Sequence, residues 1–144
     1  MYLRKKGNTM KKIVLASLLA GFLLGCGSNT QDQALGFEDK DLTIIKIVAL
    51  GDELEYKAQE RPNINFSKGK FNGFAGCNRF FGEFSLDKNK LSIAENSGST
   101  KMLCDPEAMI FEDALLASFK GDFELKKNEN GFVLESPALQ IHLQ

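Results

Sequence analysis

The sequence predicts an α+β fold in which a curved, partly barrel-like antiparallel β-sheet of about six to eight short strands packs on one α-helix. Two features of the sequence predict it. From Leu42 onward, short stretches of β-branched or alternating apolar residues are separated by turn residues. One stretch, residues 105–120, instead spaces its apolar residues as a helix does. With 144 residues, of which 43% are hydrophobic, the chain has room for one such domain.

The predicted strands are short and mostly joined by tight turns. The first ends at Gly51-Asp52, and Ser67-Lys68-Gly69 joins the next two as a hairpin, because Gly accepts a left-handed turn conformation. Two further hairpins are expected in the second half of the body. In chain order the predicted strands are Thr43–Leu50, Ile64–Phe66, Lys70–Ala75, Phe84–Leu86, Leu91–Ile93, Phe123–Lys126, Phe132–Leu134 and Leu139–Leu143.

The predicted helix begins after Asp105, whose carboxylate can cap the first turn, and Pro106 suits the first helical position. It should run to about Lys120, with Gly121 as its C-terminal cap. Glu112 and Asp113 are consecutive and therefore diverge on the helix, which favours a solvated edge over a general acid/base pair. The residues expected to form its apolar stripe are Ala108, Ile110, Phe111, Ala114, Leu115, Leu116 and Phe119.

The N-terminal segment is typical of an export signal. Lys11-Lys12 precede the apolar run Ile13–Leu24, which would rise only about 18 Å as a helix and is too short for a hydrocarbon core of roughly 30 Å. Met10-Lys11-Lys12 is itself a complete signal opening, so Met10 is an alternative start. The alternative to a signal is a core helix that happens to end in Gly25-Cys26.

Residues 23–26, Leu-Leu-Gly-Cys, resemble the lipobox of bacterial lipoproteins. The resemblance implies a signal peptide at 1–25, lipidation of Cys26, a lipid-anchored polar tether at 26–41 and a folded domain at 42–144. Lipid chains on Cys26 would hold the protein on a membrane. Gly27, rather than Asp, follows Cys26, which by the sorting rule of enteric lipoproteins implies the periplasmic face of the outer membrane.

The charge of the body argues against nucleic-acid binding. All five basic residues of segment 1–25 lie in its first half, which leaves 13 Lys or Arg against 19 Asp or Glu in the remainder. Affinity for nucleic acid comes mainly from Lys and Arg displacing condensed counterions, so an acidic body lacks the required surface.

Three cysteines leave one pair once Cys26 is lipidated. Cys77 and Cys104 could form a disulfide in an oxidising compartment, or remain as two buried thiols. A metal site would need both cysteines and the single His142 to converge, and the spacing of these residues favours no such site. No cofactor is expected.

Two sequence blocks resemble the META domain family, which includes a bacterial heat-shock protein. The first is Gly73–Phe84, GFAGCNRFFGEF, and the second is Ser99–Cys104, STKMLC, followed by Glu112 and Leu115 on the predicted helix. The resemblance covers about Thr43–Leu143. The motif positions are Gly76, Cys77, Asn78, Gly82, Thr100, Met102 and Cys104.

The resemblance implies an exported or membrane-anchored α+β domain linked to stress and antibiotic tolerance, with no settled catalytic activity. The motif residues have the properties of a structural set. Gly73, Gly76 and Gly82 would give backbone freedom around a bend, and Asn78 can hydrogen-bond its own turn. Family members often carry a Trp in the first strand, where this chain has none.

The sequence favours a non-catalytic binding module over an enzyme. Cys77 is the only tempting nucleophile, and His142 has no evident orienting partner. Arg79, Phe80 and Phe81 are candidate contacts for an unknown envelope protein or small ligand, because adjacent strand residues point to opposite faces and one Phe could point outward. The alternatives are a bend that buries both rings, a lipocalin-like carrier of a small hydrophobic ligand, and a cysteine-dependent enzyme.

Overall fold

The computed structural model describes residues 36–57 and 59–144. The predicted lipidation site Cys26, the predicted signal peptide at 1–25 and most of the predicted tether at 26–41 lie outside the described residues. The strands are β1 (Asp41–Ala49), β2 (Asp52–Leu54), β3 (Asn63–Ser67), β4 (Lys70–Phe74), β5 (Arg79–Asp87), β6 (Lys90–Ile93), β7 (Gly98–Ser99), β8 (Gly121–Asn128), β9 (Gly131–Glu135) and β10 (Leu139–Leu143), and the helix is α1 (Pro106–Ser118). No helix among these residues is long and apolar enough to cross a lipid bilayer.

Eight of the strands close into an antiparallel β-barrel. Each pairs with its neighbour in the order β1, β3, β4, β5, β6, β8, β9, β10, and β10 pairs back onto β1. The short strands β2 and β7 lie off this ring, paired only with β1 and β5 respectively. The predicted antiparallel sheet with one helix is confirmed, but the sheet is a closed barrel rather than curved and only partly barrel-like. Closure depends on pairing between residues almost a hundred positions apart, such as Ile44 with Leu143, which local sequence patterns do not encode.

Two tight hairpins illustrate how the sequence fixes local structure. Lys68 and Gly69 both have positive φ, 50° and 75°, as do Leu50 and Gly51, at 52° and 95°. Two successive positive φ values between paired strands define a type I′ turn, whose twist matches the flanking strands. The second position is Gly in both turns, where a side chain would be disfavoured.

The barrel interior is filled by aromatic side chains. Eight of the chain's 12 Phe form one continuous series, with neighbouring ring centroids 4.6–6.1 Å apart. Leu and Ile side chains from nearly every strand complete the core. The eight Phe residues of the series are Phe37, Phe66, Phe71, Phe80, Phe84, Phe119, Phe123 and Phe132.

Helix α1 packs on the barrel through one narrow face. Asp105 caps it as predicted, with its carboxylate accepting a hydrogen bond from the N–H of Ala108 at 3.0 Å. The helix ends at Ser118, two residues before the expected end. The predicted stripe was too wide: Ile110 is 61% exposed, and the buried helical residues are Ala108, Phe111, Glu112 and Leu115.

Candidate functional site

The site is organised around a buried carboxylate. Glu112 is only 4% exposed, although its neighbour Asp113 faces solvent. Its Oε2 accepts hydrogen bonds from the backbone N–H groups of Cys77 (3.2 Å) and Asn78 (2.5 Å), and its Oε1 accepts one from Asn78 Nδ2 (2.6 Å). The expectation of a solvated edge at Glu112-Asp113 is therefore wrong for Glu112.

Asn78 extends the network to the second motif block. Its Nδ2 also donates to the carbonyl of Met102 (3.1 Å), while its Oδ1 accepts from Thr100 Oγ1 (2.9 Å) and from the N–H of Met102 (2.6 Å). Both donors and both acceptor positions of the amide are thus used. A buried amide satisfied in this way holds its partners in one arrangement.

The two motif blocks are also joined covalently. Cys77 and Cys104 form a disulfide, with Cα atoms 5.8 Å apart. On the other side of the bend, the Tyr56 hydroxyl donates to the carbonyl of Gly76 at 3.0 Å. Gly76 has φ of +111°, which L side chains rarely adopt, and a Cβ there would make ordinary contact with the Tyr56 ring at 3.4 Å. Burial, followed by the charges of nearby carboxylates such as Asp105, raises the pKa of Tyr56.

Gly82 serves a different purpose from the backbone freedom expected of it. It lies within β5, and a Cβ atom there would be 2.7 Å from the Phe71 ring. Gly73 in β4 is similar, since its Cβ would be 2.2 Å from the carbonyl oxygen of Asn63. Both glycines allow a neighbouring group to approach the backbone closely.

This assembly holds segment 100–104 at the surface. Thr100 is fixed to Arg79 by two hydrogen bonds, and Met102 is fixed to Asn78 by its backbone alone. The Met102 side chain is consequently 56% exposed and that of Leu103 is 92% exposed. The segment therefore presents two apolar side chains to solvent on a restrained backbone.

Of the three candidate contacts on β5, two are available at the surface. Arg79 is exposed and Phe81 is 52% exposed, whereas Phe80 is 2% exposed and packs against Phe71 and Phe119. The residues alternate because β5 is regular there, so the bend that would bury both rings does not occur. Phe80 is corrected from a candidate contact to a core residue.

The candidate catalytic groups have structural partners. Cys77 is in the disulfide, and His142 lies on β10, where its Nε2 is 3.0 Å from Gln140 Oε1. Burial, together with the charge of Lys46, lowers the pKa of His142. Within the described residues, no group of three His, Cys, Asp or Glu side chains is arranged to hold a metal ion.

Comparison with known proteins decides the family. The sequence profile of the META domain matches residues 40–141, about seven-tenths of the chain. The chain belongs to the META domain family. The family is not one of known enzymes. No curated protein is significantly similar to the chain in sequence.

Two solved structures share the META fold seen here. The NMR structure of a protein from Burkholderia xenovorans aligns with a TM-score of 0.62 and 21% identity, over 81% of this chain and 88% of that protein. A second NMR structure aligns with a TM-score of 0.56 and 20% identity, over 72% of this chain and 86% of that one. At this level of identity the likeness concerns the fold alone.

An open groove of about 700 Å³ lies beside the META motif network, between β7 and α1. The rings of Phe80 and Phe119 line it, together with the charged residues Lys101 and Asp113. Both Phe residues are buried, so the groove offers little aromatic surface and has a mixed apolar and polar lining.

Sequence reasoning missed the roles of Glu112 and Tyr56. The signal for Glu112 was present, because it follows Ala108 by four residues and precedes Leu115 by three, which places it within the buried stripe. Tyr56 lies in a segment without strand or helix periodicity, so no local pattern marks its contact with Gly76.

Proposed function

We propose that the protein is a non-catalytic binding module of the bacterial cell envelope, anchored by lipid on Cys26 to the periplasmic face of the outer membrane. In this role it supports envelope integrity or tolerance of stress and antibiotics by binding another protein. The observation that carries the proposal is that the side chains of the motif network are engaged within the fold, Cys77 with Cys104 and Asn78 with Glu112, while the side chains of Met102 and Leu103 are exposed.

The engaged motif supports binding rather than catalysis. A nucleophile needs a free thiolate or hydroxyl next to a base, and the Cys77 sulfur is bonded to Cys104. The Glu112 carboxylate, which could serve as a base, is occupied by three donors. Restrained, exposed apolar side chains are instead typical of contact surfaces for partner proteins.

The disulfide supports export. Disulfides persist in oxidising compartments such as the periplasm and are rare in the cytosol. A lipid anchor at Cys26 would leave ten residues before Gly36, a tether that reaches at most about 36 Å. The domain would then remain close to the membrane surface and to partners embedded there.

A small ligand is the second candidate partner, and the groove between β7 and α1 favours it. A lipocalin-like carrier would hold its ligand inside the barrel. That arrangement has less support, because aromatic rings fill the interior. A ligand would therefore bind at the surface groove, next to Lys101 and Asp113.

The anchor is tested by intact-mass spectrometry of the protein from the membrane fraction, with and without reductant and alkylation. We expect a chain that begins at Cys26, carries three acyl chains including palmitate, and alkylates at Cys77 and Cys104 only after reduction. Cys26→Ser should shift the protein to the soluble fraction. An unprocessed, soluble wild-type chain would refute the anchor.

The contact surface is tested by complementing cells that lack the gene and scoring survival under envelope stress. Leu103→Ser removes an apolar side chain that is 92% exposed and should abolish complementation. The hydrogen bonds between Met102 and Asn78 remain intact in this variant, so the fold of the segment should be preserved. Glu129→Ser, in the exposed turn between β8 and β9, is the matched control and should complement fully. Equal survival with both variants would contradict a role for segment 100–104.

A further inference from the structure

A second groove, of about 540 Å³, lies between the β2 strand and helix α1. Its walls include the apolar side chains of Leu50, Leu54 and Ile110. It shares no residue with segment 100–104, and its helical wall, Ile110 and Ala114, is on the opposite flank of α1 from Glu112. The groove is therefore separate from segment 100–104, although Ala117 lines both this groove and the one between β7 and α1.

Leu50 is an unusual residue at the edge of this groove. It is 83% exposed, and its φ of 52° lies in the left-handed region, where Asn or Gly is favoured at this position of a type I′ turn. Folding gains nothing from an apolar side chain held in a disfavoured conformation in water. Ile110, across the groove, is 61% exposed.

The β2 strand offers hydrogen-bonding groups at the same place. It pairs with β1 along one edge and with no strand of the described sheet along the other. Ala49 faces Asp52 across the two-residue turn, and ladder bonds alternate along an antiparallel pair. The N–H and C=O of Glu53 therefore point away from β1, where an added strand could pair with them.

The charge of the groove selects the partner. Its lining includes the carboxylates of Asp52 and Glu53 and no basic residue. Glu53 forms an ion pair with Lys46 at 2.9 Å. Asp52 is therefore the carboxylate that a cationic side chain of the partner would bind. Ala117 and Ser118 bring the C-terminal end of α1 to the groove, and the last turn of that helix carries no basic residue. The partial negative charge of that end adds to the attraction for a cation.

We propose that this groove binds an extended polypeptide segment that adds to the free edge of β2, places an apolar side chain between Leu50 and Ile110, and directs a Lys or Arg toward Asp52. This binding goes beyond the proposed function and does not require the lipid anchor. Main-chain pairing would supply affinity, and the apolar contact and the cation would supply specificity.

The test uses the full-length chain in detergent and a fluorescein-labelled eight-residue peptide, Val-Ser-Lys-Ser-Val-Ser-Lys-Ser, in which the Val and Lys side chains share one face of a strand, as Asp52 and Leu54 do in β2. Fluorescence anisotropy should show binding, and an analogue with Glu in place of Lys should bind at least about tenfold more weakly. Hydrogen exchange followed by mass spectrometry should show peptide-dependent protection at Asp52–Leu54. Protection confined to other segments, equal binding of both peptides, or no binding of either would overturn the proposal.

Leu50→Asn is the decisive variant, because Asn is favoured at this turn position and the folded protein should be at least as stable as wild type. We expect it to weaken binding of the Val/Lys peptide by at least about tenfold. Lys68→Asn is the matched control, since Lys68 has φ of 50° in the same type of turn and does not line the groove. Unchanged binding by Leu50→Asn would overturn the proposal, whereas a failure of membrane anchoring would bear only on the proposed function.

Discussion

Removal of the Glu112 carboxylate should strongly destabilise the protein. In Glu112→Ala, three donors lose their acceptor: the N–H groups of Cys77 and Asn78 and the Asn78 side-chain amide. Each buried donor left without an acceptor costs about 1–2 kcal/mol, so the free energy of unfolding should fall by about 3–6 kcal/mol. That is a large part of the 5–15 kcal/mol typical of a domain.

Glu112→Gln should have a smaller effect. The amide oxygen can still accept from the two backbone N–H groups, but its NH₂ group then faces Asn78 Nδ2, donor against donor. One donor therefore loses its partner, and we expect a loss of about 1–3 kcal/mol. Asp113→Asn, at the next and exposed position, is the control and should change stability by less than about 0.5 kcal/mol.

The assay is urea unfolding without reductant, so that the disulfide between Cys77 and Cys104 stays intact in every variant. The midpoint and the slope are fitted together, because a change in slope would indicate a different unfolded state rather than a change in stability. A loss below about 1 kcal/mol in Glu112→Ala would refute the role given to the network. So would equal effects of the Gln and Ala variants.

Three further predictions concern the backbone, the disulfide and pH. Gly82→Ala should lower the free energy of unfolding by about 1–3 kcal/mol in urea melts, because its Cβ would lie 2.7 Å from the Phe71 ring. Reduction of the Cys77–Cys104 disulfide, which spans 27 residues, should cost about 3.5 kcal/mol by loop-closure entropy; an unchanged melting temperature in dithiothreitol would contradict this. Burial lowers the pKa of His142 below its ordinary 6.5, so the folded state disfavours protonation of this side chain. The free energy of unfolding should therefore decline as the pH falls below 6.5. His142→Gln should flatten a plot of the free energy of unfolding against pH between 6.5 and the onset of carboxylate titration.

Local sequence patterns predicted most of the strands and the start of the helix. The turn at Lys68-Gly69 and the cap at Asp105 depend on residues within a few positions of each other, so their physical causes are visible in the sequence. β2 and β7, with three and two residues, are too short to show a period. Closure of the barrel through β1 and β10 is a long-range pairing that no local pattern contains.

The sequence predicted several residues of the candidate site, but not that Glu112 lies at its centre. The motif resemblance selected Cys77, Asn78 and Thr100, which the structure brings together. Glu112 was expected to lie on a solvated edge because it and Asp113 are consecutive and diverge on the helix, but only Asp113 faces solvent. A charged residue at a core position of a helix is better taken as a sign that unpaired donors lie opposite it.

The bend at Gly76–Asn78 explains why residue 112 is a glutamate. The N–H groups of Cys77 and Asn78 point into the protein toward α1, and no apolar side chain could satisfy them. A carboxylate accepts both and still holds the Asn78 amide, which in turn fixes Met102. This chain of bonds uses the side chains of Asn78, Thr100 and Glu112, so these three groups build the surface and are not free to contact a partner. Specificity for the proposed partner would then come from exposed side chains that make no hydrogen bonds in the network. The large apolar ones among the described residues are Leu50, Phe81, Met102, Leu103 and Ile110.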